Sequence, residues 1–315
     1  MRQKSVVVIG GGTGTYTVLS GLKTHPIALS AVVAMADDGG STKVLREDFG
    51  VLPPGSVRPA LVALSHAEKT LADLFNFRFD NGGLNGHNMG NLLITALAKQ
   101  LGSFEKAIEE ASKILRIQGR VIPSTLRDVR LCAQLSGGVV IEGERNIDAP
   151  AHKGNWRIER VWLEPPCGAN KKAIEAVVQA DLVVIGPGDV FTSIVPNFLA
   201  KGMANALKKS RAKKAYVCNI MTKYGETQGF GVLDFVREIE AYTHEGALDY
   251  VIVNTKRPSA GRVKTYEKEK AEFVEYRPQE LRGKTFRVVA KPLLRSRGYI
   301  RHDSDALART IISLL

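Results

Sequence analysis

The sequence predicts an α/β fold on a largely parallel sheet, with a small antiparallel insertion near its middle. Three observations carry that expectation. Apolar strand-like runs alternate with helix-patterned segments over most of the 315 residues. The first run breaks into a glycine cluster that leads straight into a helical pattern, as the opening of a β-α-β unit does. Past the first third, the alternation gives way to two strand-like runs around Ser136-Gly137-Gly138, a hairpin signal.

The first strand is Ser5-Val6-Val7-Val8-Ile9, ending in Gly10-Gly11-Gly12-Thr13-Gly14-Thr15. A second apolar run, Ala31 to Ala36, ends on Asp37-Asp38-Gly39-Gly40-Ser41. Arg58 to Leu64 is the next run in the alternation, ahead of a helical stretch around Thr70 to Phe77 and a turn-rich loop from Asn81 to Gly90. Asn91 to Leu101 and Phe104 to Leu115 carry helical spacing, the latter with Ser103 placed as N-cap. Val129 to Leu135, Val139 to Glu144 and Trp156 to Leu163 form the insertion, at about 125–165, within one domain spanning 1–315. The parallel pattern then resumes with helix Lys171 to Gln179, strand Asp181 to Ile185 and the turn Gly186-Pro187-Gly188-Asp189, with Thr192-Ser193 opening the next helix. Ala215 to Asn219, Tyr250 to Asn254 and Phe286 to Ala290 are further strands, Lys256 to Glu269 a polar mobile excursion, and Ser304 to Leu315 a closing helix.

Composition narrows the function classes. The chain is 44% hydrophobic and 24% charged, ordinary for a globular protein. No apolar run approaches the roughly 20 residues of a membrane helix. The N-terminal run is cut short by glycine before it could serve as a signal peptide, so a cytoplasmic protein is expected. Cys132, Cys167 and Cys218 have no metal-ligand spacing and suit free thiols. The net charge is +12, and it is lopsided: residues 1–150 hold 16 Lys+Arg against 14 Asp+Glu, residues 151–315 hold 28 against 18. Such a field favours anionic partners. The densest basic run, Lys208 to Lys214, suits a solvated helix C-terminus, and no aromatic interleaving supports nucleic acid.

Four motifs could carry chemistry. Gly10 to Gly14 lets backbone N–H groups approach phosphate oxygens at a helix start. It fits neither the dinucleotide register, since Thr15 or Thr17 stands where the last glycine belongs, nor the P-loop, so it suggests a phosphate cradle of another kind. Asp37 and Asp38, with Gly39 and Ser41, could accept from a ribose or hold Mg²⁺ through its waters, or form a turn in which Ser41 caps the next helix. Gly186-Pro187-Gly188 with Thr192 and Ser193 makes a second anion site or a rigid turn with an N-cap. Asn85-Gly86-His87-Asn88 and Gly90-Asn91 could wall a polar pocket or merely form turns. No Ser/His/Asp triad, Cys/His dyad or zinc spacing is visible, and the catalytic residues, if any, are unknown.

These pieces resemble the gluconeogenesis-factor (YvcK-type) branch of the CofD-like superfamily. The matching segments are Val8 to Gly14, Ala36 to Ser41, Leu52 to Gly55, Gly86 to Asn91, Pro123-Ser124-Thr125, Ile185 to Gly188, Thr192 to Ile194, Asn219 to Thr222 and Arg301-His302-Asp303, in order along nearly the whole chain. The resemblance implies a Rossmann-like three-layer α/β/α sandwich, a cytoplasmic location, and a role in carbon metabolism and cell shape during gluconeogenic growth. It implies a binder of UDP-sugars such as UDP-N-acetylglucosamine (UDP-GlcNAc) and UDP-glucose, with no established catalysis. The CofD branch instead implies a Mg²⁺-dependent transferase of a phospholactyl group. Carried over by motif, Gly10, Gly11, Gly12, Thr13, Gly14, Gly186, Pro187 and Gly188 meet the phosphates, with Thr192 and Ser193 at the helix start of the second anion site. Asp37 and Asp38 meet sugar hydroxyls or the metal, with Gly39 and Ser41 beside them. Asn88 lies at the pocket floor, Asn219 at a strand end beside the ligand, and Arg301 on the nucleotide sugar. Ser304 stands where the family carries a hydroxyl residue suited to a kinase. A homo-oligomer is compatible with the sequence.

The chain departs from the family pattern at Thr42 to Arg46, at Arg58-Pro59-Ala60 and at Tyr16, all beside the expected pocket. The combined expectation is a UDP-sugar-binding regulator rather than an enzyme, with the CofD-like transferase as the alternative.

Overall fold

A computed structural model of the chain describes residues 2–149 and 156–315. Residues 150–155 of the expected insertion lie outside the described residues. In chain order the strands are β1 (Ser5–Gly10), β2 (Ala28–Val33), β3 (Arg120–Pro123), β4 (Arg130–Leu135), β5 (Val140–Glu142), β6 (Ile158–Glu164), β7 (Leu182–Ile185), β8 (Lys213–Val217), β9 (Tyr250–Asn254) and β10 (Arg287–Lys291). Seven form one sheet in the order β10-β9-β8-β7-β1-β2-β3, and every pairing in it is parallel. The expected small antiparallel sheet has the order β5-β4-β6.

Strand order places the site. From β1 the chain steps outward through β2 to β3, then returns to the other flank of β1 with β7 and steps outward through β8, β9 and β10. The two directions part between β1 and β7. At such a switch point the connections leave to opposite faces and open a crevice beyond the carboxyl ends of the strands.

Two cores explain why these runs are strands. Side chains alternate across a pleated strand, so Val6 and Val8 enter one core while Val7 and Ile9 enter the other, all fully buried. The Val6 side packs the helices Gly12–Leu22, Pro54–Ala63, Met89–Leu101, Phe104–Ile114 and Ser304–Ile312. The Val7 side packs the helices Lys171–Gln179 and Val232–Ala241 together with the antiparallel sheet. These are the three layers of a Rossmann-like sandwich.

Some local expectations needed correction. Arg58 to Leu64, which stands where a strand would come in the alternation, belongs to the helix Pro54–Ala63. Its apolar residues are contiguous because it is buried against several neighbours, and Pro54 at its first turn is the start signal. β2 ends at Val33, because its ladder with β1 closes at Gly10. The segment after Asp189 first makes one wide turn, Val190–Ile194, before the helix Val195–Leu199. The Lys256–Glu269 excursion is wound into a short helix, Ala260–Lys264, and a 3-10 turn, Glu267–Glu269.

Candidate functional site

A cavity of about 650 Å³ opens at the switch point. One wall is the start of the Gly12–Leu22 helix, with Gly11, Gly12, Thr13 and Gly14 all on the surface of the cavity. That helix has no side-chain cap, so its first N–H groups and the positive end of its dipole face the cavity. Gly12 has φ +61°, a left-handed turn that a side chain resists. Gly14 answers a different need: a Cβ there would overlap the carbonyl of Pro187 and crowd the Gly188 nitrogen. Only glycine lets the turn after β1 press against the turn after β7.

The second turn is held from behind. Asn219 clasps Gly188, accepting from its N–H at 3.3 Å and donating to its carbonyl at 2.9 Å. Both ends of the amide are thus occupied by backbone, and Asn219 shapes the turn that faces the cavity. Pro187, Gly188 and Ser193 line the cavity; Gly186 instead closes the ladder, its N–H donating to Ile9 at 2.9 Å. Gly10 lies behind the turn, its carbonyl accepting from Ala34 and Asn197. Thr192 is buried and donates to Glu226 at 3.4 Å.

The opposite wall comes from the segments after β8, β9 and β10. Ile220, Met221, Tyr224, Tyr266 and Tyr299 give it apolar and aromatic surface, and Arg301 supplies a cation whose guanidinium lies 5.2 Å over the Tyr299 ring. His302 beside it is buried, its Nε2 is without a partner, and burial pushes its pKa down to about 4, so the imidazole is neutral.

A charged group that the sequence reading did not single out borders the cavity. Lys223 Nζ lies 2.9 Å from Asp189 and 3.5 Å from Glu226, and also pairs with Asp148. The Glu226 side chain is wholly buried and one of its oxygens has no partner. Burial and then Asp189 push its pKa well up, with Lys223 opposing. Burial alone would lower the Lys223 pKa, but Asp189, Glu226 and Asp148 together hold it above its usual range.

Asp37, Asp38, Gly39, Ser41 and Asn88 do not line this cavity. Asp37 is largely buried and accepts from Gly39 N–H at 2.9 Å and Thr42 hydroxyl at 3.0 Å, while Arg46 donates to its carbonyl at 2.8 Å. Asp38 accepts from the Arg145 N–H at 2.9 Å, at the start of the helix Glu144–Asp148. Asn88 caps the Met89–Leu101 helix by accepting from Asn91 N–H at 3.2 Å, and Ser41 is a buried residue of the Gly40–Phe49 helix. Glu144 stands electrostatically between the two acidic groups. Burial first, then Asp37, Asp148 and Asp38, push its carboxyl up to about 8.

Both side-chain oxygens of Asp37 and one of Asp38 accept from the protein's own donors, so a Mg²⁺ there would share them with Gly39, Thr42 and Arg145. Asp148, Asp189 and Glu226 each offer an oxygen within 4.8 Å of the others, a spacing suited to a cation. The Lys223 ammonium already sits among them.

Comparisons with known proteins agree with this architecture. Residues 6–294 match the family model described as 2-phospho-L-lactate transferase CofD. The chain is 36% identical to the gluconeogenesis factor of Bacillus subtilis, with 100% of this chain and 99% of that protein covered. It is 38% identical to that of Listeria innocua, with 98% and 95% covered. A solved structure of a UPF0052-family protein from Bacillus halodurans superposes with a TM-score of 0.94 at 38% identity, over 99% of each chain.

Proposed function

The chain belongs to the CofD family, among the gluconeogenesis factors, and from that premise we propose that it binds a UDP-sugar and acts as a regulator of carbon metabolism in the cytoplasm. The observation that carries the reading is the two-sided cavity at the switch point. One side is an uncapped helix N-terminus pressed against a second glycine turn, which suits a diphosphate. The other offers Tyr224, Tyr266, Tyr299 and Ile220 for a ring, with Arg301 to add charge. A volume of about 650 Å³ accommodates a ligand of nucleotide-sugar size. Among the described residues no helix is long and apolar enough to cross a membrane.

Binding without turnover is favoured over CofD-like transfer by the state of the acidic group. Its three carboxylates surround the Lys223 ammonium, which stands where the metal on which the transferase reading depends would sit. The test is heat unfolding in the presence of UDP-GlcNAc, UDP-glucose and other UDP-sugars. A ligand at 100 times its Kd stabilises by about 2.7 kcal/mol, and Arg301→Ala should shrink the shift. No shift from any UDP-sugar overturns the reading, and Mg²⁺-dependent consumption of the ligand would return it to a transferase.

A further inference from the structure

We propose that Arg262 is a positioning residue for this site: its guanidinium fixes the Arg295–Arg301 loop and so aims Arg301 into the cavity. Arg262 lies in the Ala260–Lys264 helix, on the excursion after β9. It donates from Nη1 to the Arg295 carbonyl at 2.8 Å, from Nε to Gly298 at 3.0 Å and from Nη2 to Tyr299 at 2.8 Å. Three carbonyls of one loop thus turn onto a single side chain 33 to 37 positions away.

The rest of the loop is built around that contact. Arg295 N–H donates to the Arg301 carbonyl at 3.0 Å and closes the loop ends. The Arg295 side chain donates to Arg297 at 2.7 Å. Tyr266, from the same excursion as Arg262, accepts at its hydroxyl from Ile300 N–H at 2.9 Å. Beneath lies a small apolar cluster of Ile220, Leu294 and Ile300 with Val263 and Tyr266, separate from the two cores on the sheet faces. The loop conformation therefore rests on these local contacts and not on the main cores. Tyr299, Ile300, Arg301 and His302 all line the cavity. The guanidinium spreads its donors over three nitrogens, one for each carbonyl; a lysine keeps the charge but gathers its donors on one nitrogen.

The claim about ligand affinity rests on the UDP-sugar reading above, whereas the claim about the loop has its own readout. The experiment uses the full chain and the variants Arg262→Lys, Arg301→Ala and their double, titrated calorimetrically with UDP-GlcNAc, together with amide hydrogen exchange without ligand. Arg262→Lys should weaken binding by about tenfold, the equivalent of roughly 1.4 kcal/mol. The double variant should bind no more weakly than Arg301→Ala alone, because the two act through one contact. Exchange should quicken across residues 295–301 in Arg262→Lys and stay unchanged in β1 and β7. Wild-type affinity in Arg262→Lys beside a weakened Arg301→Ala, additive losses in the double, or unchanged exchange would each overturn the proposal. If wild type fails to bind UDP-GlcNAc, the ligand reading falls and the exchange result alone decides the role of Arg262.

Discussion

Two glycines three positions apart in the first turn should respond very differently to the same substitution. In Gly14→Ala the new Cβ would overlap the Pro187 carbonyl and come within 3.0 Å of the Gly188 nitrogen. These are backbone atoms of a turn held by Asn219, so neither can swing aside as a flexible side chain would. Overpacking costs up to about 3 kcal/mol. Gly14 lies inside the Gly12–Leu22 helix, where alanine returns about 1 kcal/mol of propensity. The expected net loss is about 2 kcal/mol. In Gly11→Ala the new Cβ meets Ser193 atoms at 3.4–3.6 Å, ordinary contact, and φ −171° is extended backbone that any residue adopts. Its expected change is within about 0.5 kcal/mol. Denaturant unfolding of both variants beside wild type reads the difference. If Gly14→Ala unfolds like wild type, or the two lose equally, the turns after β1 and β7 are not in the contact described.

Two further perturbations probe the acidic groups. Lys223→Met leaves the buried Glu226 carboxylate without its cation and should cost about 3 kcal/mol in denaturant unfolding, part of which Glu226→Gln in the same chain should recover; no loss in Lys223→Met would refute the charge arrangement. Glu144→Gln tests the carboxyl pushed from 4.5 up to about 8. A raised folded-state pKa stabilises below the unfolded value and loses that contribution as pH rises through the folded one. Wild type should therefore lose stability relative to Glu144→Gln between about pH 4.5 and pH 8, and parallel stability curves across that window would contradict it.

Much of the fold was legible because local and global preferences coincide there. Lys171–Gln179 and Tyr250–Asn254 have the boundaries that their spacing predicts. Ser103 is the N-cap, accepting from Lys106 N–H, and the Ser136-Gly137-Gly138 turn joins β4 to β5. Where tertiary burial outweighed pattern, reading failed. Arg58 to Leu64 is apolar on consecutive positions, which a buried strand and a buried helix share. β3 is four residues long and ends on a proline, too short to register as a run.

The candidate site divides in the same way. The glycine turns were visible because a backbone that must turn sharply or make close contact leaves a compositional mark. Asp37 and Asp38 carried an equally clear mark, yet their oxygens meet Thr42, Gly39 and Arg145. A carboxylate at a strand end looks the same in sequence whether it serves a ligand or its own loop. Asp148, Asp189 and the Lys223–Glu226 pair come from three separate stretches of chain, and only the tertiary fold brings them together beside the cavity. Signals for single members existed, since Asp189 follows the Gly-Pro-Gly turn and Lys223 follows Asn219 to Thr222. Lys223 and Glu226 lie three positions apart, but nothing local could pair Lys223 with Asp148 or Asp189.

The central claim is that the turns after β1 and β7 hold the diphosphate of a nucleotide sugar. A crystal structure of the full chain soaked with UDP-GlcNAc at saturating concentration tests it most directly. The account expects difference density for the diphosphate over the N–H groups of Gly12, Thr13 and Gly14, facing Gly188, with the ring end toward Tyr266, Tyr299 and Arg301. Density on the Asp37–Asn88 side of the sheet edge, or an empty cavity at saturation, would contradict it.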